Sequence, residues 1–208
     1  MKKKKIKVLL MVGFVIIFLI AAQIVSETSK SVVEADNVVP VETVETPDVP
    51  KIKVEYTSLG VPNIQSYFKT WMSYKAVTDK NSPHYKFINT YGWVDSEGFM
   101  RSDGERSLGI DDDYYLIALG SYYGTTIGTK YRITLDTGKV FYGALADCKA
   151  DIHTNSTNQY IPMNGNVVEF LVDTATLNKD VKRMGSANVY MPLNGNVAKI
   201  ERIDFINE

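Results

Sequence analysis

Between Tyr114 and Asp173 the chain advances in short β-branched and aromatic runs, each cut off by glycine or aspartate. That punctuation restricts it to a small all-β barrel or sandwich. Tyr114–Leu119 reads as one strand, followed by a glycine-bearing turn, and Lys130–Leu135 as a second. Asp136-Thr137-Gly138 supplies a hairpin turn into a third strand, Lys139–Leu145, with Asp147 at its end, and a further β-rich run covers Val167–Val172. An aspartate where a buried strand ends suits a catalytic carboxylate, because the sheet holds it in place and its surroundings tune its acidity.

A short internal repeat lies near the C-terminus. Tyr160-Ile161-Pro162-Met163-Asn164-Gly165-Asn166-Val167 returns as Tyr190-Met191-Pro192-Leu193-Asn194-Gly195-Asn196-Val197. In each copy Asn-Gly favours a positive-φ turn, and a strand is expected to follow, Val167–Val172 and Val197–Ile203. Two copies are too few for a solenoid and fit two equivalent turn–strand units of one barrel.

The N-terminus bears on location. Lys2 to Lys5 and Lys7 precede an uninterrupted apolar run, Val8 to Ala22. A bilayer-spanning helix takes roughly 20 apolar residues, so residues 1–25 read as a signal anchor with its lysines in the cytoplasm and the rest of the chain outside. A cleaved secretory signal is the competing reading, although Ala21-Ala22-Gln23 is a poor cleavage site. Residues 26–55 read as a tether: over residues 26–50, six acids against Lys30 alone, with Pro40, Pro47 and Pro50, favour an extended chain over a packed core. The leading lysines and the tether's acids cancel, leaving residues 51–208 with a net charge of −1. A near-neutral domain carries no electrostatic footprint for nucleic acid.

Residues 56–208 then form one extracellular domain, with 56–110 expected as a helical cap and 111–208 as the barrel. Ile64, Tyr67, Phe68, Trp71 and Met72 recur at helical spacing after Pro62-Asn63, and Ser82-Pro83 repeats the start signal for a shorter helix through Phe87 and Ile88. The Asp111-Asp112-Asp113 run lacks calcium-loop spacing and reads as a solvated loop. Cys148 is the single cysteine, which excludes an intrachain disulfide and suits a small buried apolar group. Tyrosines are abundant, and a shared face including Tyr122 and Tyr123 offers flat rings with polar tips to carbohydrate or peptide.

Four words in order, Ala118-Leu119-Gly120, Ile127-Gly128-Thr129-Lys130-Tyr131-Arg132-Ile133, Ala146-Asp147 and Gly165-Asn166-Val167-Val168-Glu169-Phe170, carry a family resemblance. Together they resemble the three-aspartate domain of Gram-positive envelope proteins. That domain is similar to the double-psi β-barrel of membrane-bound lytic transglycosylase A and, more distantly, to expansins. The region from Trp71 onward also resembles membrane-anchored proteins of clostridia, through Ala118-Leu119-Gly120-Ser121-Tyr122-Tyr123 and the run from Asp147 to Thr154. The resemblance implies a mainly β fold, a six-stranded double-psi barrel, acting on or binding cell-wall peptidoglycan. Asp147 matches the family's catalytic acid and Glu169 its last aspartate, lengthened by one carbon. Gly120 and Ser121 stand where the first aspartate belongs.

The candidate site therefore comprises Asp147 and Glu169 as catalytic groups, with Lys149, Asp151, His153, Thr154, Tyr122 and Tyr123 in binding roles. In a lytic transglycosylase one carboxylic acid protonates the glycosidic oxygen and then, as carboxylate, takes the proton of the sugar's 6-hydroxyl. This chemistry needs no cofactor or metal. Lys149 opposes it by favouring the charged form of Asp147. A second reading takes Asp147, Asp151 and His153 as metal ligands. A third makes the domain a non-catalytic envelope module that binds a wall or protein partner, and a fourth leaves these groups bonded only to one another.

Overall fold

A computed structural model describes residues 51–207, and its architecture is mainly β. The strands are β1 (Ile52–Leu59), β2 (Trp71–Ser73), β3 (Trp93–Val94), β4 (Met100–Ser102), β5 (Tyr114–Leu119), β6 (Lys130–Leu135), β7 (Val140–Cys148), β8 (Glu169–Val172) and β9 (Val197–Asn207). Among the described residues two α-helices accompany them, α1 (Pro83–Tyr91) and α2 (Lys179–Met184). All nine strands join one open, mixed sheet running β1-β9-β6-β7-β5-β4-β3, with β8 beside β5 and β2 beside β8. The N-terminal lysines, the apolar run and the tether up to residue 50 lie outside the described residues. Among the described residues no helix is long and apolar enough to cross a membrane.

β5 and β6 begin and end where their residues predict. In β6 Tyr131, Ile133 and Leu135 are buried while Lys130, Arg132 and Thr134 are half-exposed, the period of two that one covered face imposes. β5 is buried along its whole length because a core lies on each side of it. Tyr115, Ile117 and Leu119 join Phe99, Phe141 and Phe170 in the larger core. Tyr114, Leu116 and Ala118 join Ile88 of α1, Met100, Ile110 and Leu171 in the smaller one. β7 runs parallel to β5, and Gly143 permits the approach, since a Cβ there would collide with Ile117 Cδ1.

Three expectations need correction. The helix anticipated over Ile64–Met72 does not form: residues 62–70 are irregular and lead into β2, which pairs in parallel with β8 (Trp71↔Phe170). Their polar groups have better partners far away in sequence. Ser66 Oγ accepts from the Val197 N–H (2.7 Å), and the Thr70 N–H donates to Asn166 Oδ1 (3.2 Å). Buried Lys69 donates to the Gly195 carbonyl and to Asn188 Oδ1. A helix would have to break these bonds to make its own. The cap over 56–110 is accordingly not helical, for it contains half of β1, all of β2 to β4 and only one α-helix, α1. The tether expected to reach residue 55 also ends early, because Ile52 already pairs with Asn207 in the β1–β9 ladder.

Other signals hold in detail. The Ser82 side chain caps α1 by accepting from the Tyr85 N–H (3.1 Å), with Pro83 in the first turn. Gly138, Gly165 and Gly195 all take positive φ at the turns predicted for them. The two repeat copies lead into β8 and β9, yet Asn166 binds Thr70 whereas Asn196 binds Asp136. The repeat thus builds two similar turns that secure different segments.

Candidate functional site

Asp147 sits one residue before the end of β7, and a register shift aims its side chain. Ile117 of β5 pairs with Leu145, but the next residue, Ala118, pairs with Asp147. Ala146 is the extra residue of this bulge. With strict alternation Asp147 would point to the same side as Leu145, into the larger core; the bulge turns it toward the face that α1 covers. There Asp147 Oδ1 meets His84 Nδ1 at 2.8 Å and accepts the Cys148 backbone N–H at 2.9 Å. Both side chains keep an edge in solvent, with 30% of His84 and 23% of Asp147 exposed.

His84 is absent from the sequence-based candidates. Its only local signal is that it is one of two histidines and follows the Ser82-Pro83 helix start. With an ionised carboxylate at Nδ1, that nitrogen carries the hydrogen, which leaves the lone pair of the neutral ring on Nε2. Nε2 makes no hydrogen bond among the described residues. The pair is therefore a carboxylate-oriented imidazole whose outer nitrogen can take and return a proton.

Glu169 begins β8 and pairs with Ala118 from the other side of β5. Asp147, Ala118 and Glu169 thus form one rung across three strands, with the backbones of the two acids two strand spacings apart, roughly 10 Å. Lys149 lies beneath it. Its side chain is 2% exposed, so the expected binding role is corrected to an internal one. Its Nζ lies 3.7 Å from Glu169 Oε2 and 3.4 Å from the Ala118 carbonyl oxygen. Burial pushes the Lys149 ammonium down to about 8, against the opposing pull of Glu169 and Asp147.

This depression has a consequence for stability. Below about 8 the lysine is protonated in both folded and unfolded chains, and the cost of burying the charge is fully present. Between about 8 and its unfolded value of 10.5 the unfolded chain binds the extra proton, so this contribution to stability rises with pH. Lys69, also lowered to about 8 by burial, acts in the same direction. Denaturant melts at pH 7.5 and 9.5 are expected to show wild type gaining more than Lys149→Met, by on the order of 2 kcal/mol. Equal gains in the two proteins would mean that Lys149 stays protonated in the folded chain across this window, its ammonium not depressed by burial.

The remaining candidates divide. Asp151 is exposed and its Oδ1 accepts from Ser121 Oγ at 2.7 Å, which brings a carboxylate beside the Gly120-Ser121 position. His153 is exposed on the same 3₁₀ turn, Asp151–His153. Thr154 Oγ1 lies 2.9 Å from both the Asp151 carbonyl and Asn158 Oδ1, so it ties the loop to itself. Tyr122 is exposed, but Tyr123 is buried in the larger core, which removes it from any binding face. Cys148 packs against that core, and burial raises its thiol pKa, as do Asp147 and Asp151 to a lesser extent. Those are the conditions of an inert thiol. Asp147, Asp151 and His153 do not converge, and among the described residues no group of three His, Cys, Asp or Glu side chains is placed to hold a metal.

The described surface also contains a cleft of about 710 Å³, lined in part by Phe87 and Tyr91 of α1 and by Trp93, and none of the expected site residues lines it. No family model, curated protein or solved structure matches the chain.

Proposed function

We propose that the chain is a membrane-anchored, extracytoplasmic protein that acts on cell-wall glycan, with Asp147 and His84 as its acid–base pair. The observation that carries this reading is the bulge that turns Asp147 out of the core onto His84, a half-exposed ring whose Nε2 makes no hydrogen bond among the described residues. The strand path β2-β8-β5-β7-β6-β9 supports a double-psi barrel: it has six strands and contains the parallel pairs β2–β8 and β5–β7, and Ser66, five residues before β2, accepts the N–H of Val197 at the start of β9. The N-terminal lysines and apolar run support the anchor.

In the transglycosylase step, protonated His84 gives its Nε2 hydrogen to the glycosidic oxygen as the C1–O bond breaks. The neutral ring then takes the proton of the sugar's own 6-hydroxyl while O6 bonds to C1. The product is a 1,6-anhydro sugar, no water is consumed, and the imidazolium is regenerated. Asp147 holds the ring and stabilises its charged form. The test is incubation of the full chain, purified in detergent, with peptidoglycan, with release of anhydro-muropeptides as the expected result.

A non-catalytic envelope module is the second reading, and one observation favours it. At Gly120, where the family's first aspartate belongs, a Cβ would collide with the Asn158 carbonyl oxygen, so no carboxylate fits there. Glycan binding without product release would establish that alternative. Location is checked separately: protease added to intact cells should remove everything after residue 51. Survival on intact cells with cleavage after lysis would reverse the topology.

A further inference from the structure

The cleft beside α1 holds polar groups that the fold leaves without partners. Trp93 is 40% exposed and Tyr91 61%, and the Trp93 indole N–H donates to Asp103 Oδ1 at 3.2 Å, which holds the indole in place. Lys130 Nζ lies 4.2 Å from the centre of the Tyr114 ring and 5.6 Å from that of Phe87, yet it makes no hydrogen bond or ion pair among the described residues. Glu105, half-buried at the same wall, has no ion pair there either. Ser102 also lines the cleft, 2% exposed, and its Oγ has no partner.

Buried polar groups are almost always satisfied, and each one left alone costs free energy. Ser102 Oγ is such a group, and it shares one cleft with Lys130 Nζ and Glu105, half-buried and unpaired among the described residues, an arrangement most simply explained by a ligand that supplies their partners. The ligand's chemistry follows from the lining. Exposed aromatic rings offer flat apolar faces, while carboxylates accept from hydroxyls and an ammonium donates to hydroxyl or amide oxygens. Two carboxylates against one lysine repel a phosphate or any polyanion. The volume lies within the range of small-ligand sites.

We propose that this cleft is a glycan-binding subsite in which Tyr91 and Trp93 stack on pyranose rings while Asp103, Glu105 and Lys130 bind their hydroxyl and amide groups. The proposal rests on the glycan-directed function above and names where the sugar chain is held. Tyr91 lies seven residues beyond His84 on α1, about 10 Å along the helix axis. A strand gripped in the cleft can therefore extend toward the acid–base pair.

The chain carries its own reporter. Of its two tryptophans, Trp71 is half-buried with its indole N–H on the Val181 carbonyl, and Trp93 faces the cleft. Titration of the full chain in detergent with β-1,4-linked N-acetylglucosamine oligomers should give a saturable change in tryptophan emission. Calorimetry should show Trp93→Ala weakening binding by about tenfold or more, and Glu105→Gln weakening it as well, with unchanged melting curves for both variants. Two results overturn the subsite: no saturable binding at millimolar oligosaccharide, or binding by Trp93→Ala and Tyr91→Ala within twofold of wild type. The catalytic reading fails separately. Anhydro-muropeptide release without cleft binding removes the subsite alone, and cleft binding without release removes the catalytic step alone.

Discussion

Replacement of Phe170 by alanine is expected to destabilise the domain by about 3–5 kcal/mol, as truncation of a buried aromatic does. Phe170 is fully buried in β8, and its ring lies 5.3 Å from Tyr115 and 5.5 Å from Phe99, both edge-on, and 5.7 Å from Phe141. The contacts come from three separate strands or loops, so no single neighbour can collapse into the space. The backbone of the same residue pairs with Ile117 and donates its N–H to the Thr70 carbonyl at 3.0 Å, which limits any shift of β8. A loss of this size is a large part of the roughly 5–15 kcal/mol that keeps a domain folded. Urea unfolding monitored by tryptophan emission is the measurement, with Phe205→Ala as control, because Phe205 is 38% exposed near the end of β9. A loss below about 1 kcal/mol for Phe170→Ala would contradict the packing described, since burial alone is worth more than that.

Asp147→Asn is expected to reduce anhydro-muropeptide release by roughly 10²–10⁴-fold, the range for loss of an acid–base group. Asparagine keeps an oxygen for the Cys148 and His84 hydrogens but brings no negative charge to steady the imidazolium. The melting curve should therefore stay close to wild type. His84→Gln should lose a similar factor, and the double variant little more than either single one, because the two groups act as a unit. A strictly multiplicative double variant would separate their roles. If wild type releases no product and Asp147→Asn melts much lower, the carboxylate serves the fold by holding α1 against the sheet.

The strands β5 and β6, the hairpin at Gly138, the start of α1 and the turns at Gly165 and Gly195 were legible in the residues because each rests on local chemistry. These are β-branched alternation, an Asn-Gly turn and a Ser-Pro cap. The stretch 62–73 misled because its aromatics sit at helical spacing, while the groups that govern it, Ser66, Lys69 and Thr70, bind Val197, Gly195 and Asn166 more than ninety residues away. β1 was hidden for a similar reason, since the strand is mostly exposed and exists by pairing with β9.

At the candidate site Asp147 was visible as a carboxylate ending a strand, and Glu169 as a second one nearby in the fold. What surrounds them was not visible. A one-residue register shift at Ala118 decides which face Asp147 occupies, and no property of Ala146 or Asp147 announces it. His84 reaches Asp147 only because α1 packs across β7, and Lys149 appears available in sequence yet is enclosed by the strands above it. Sequence by itself determined the turns, the central strands and the apolar N-terminus, which depend on neighbours along the chain. Tertiary structure alone decided the direction of the acid, its histidine partner and the unpaired groups of the cleft. Burial and hydrogen bonding there are set by residues that meet only when the sheet is assembled.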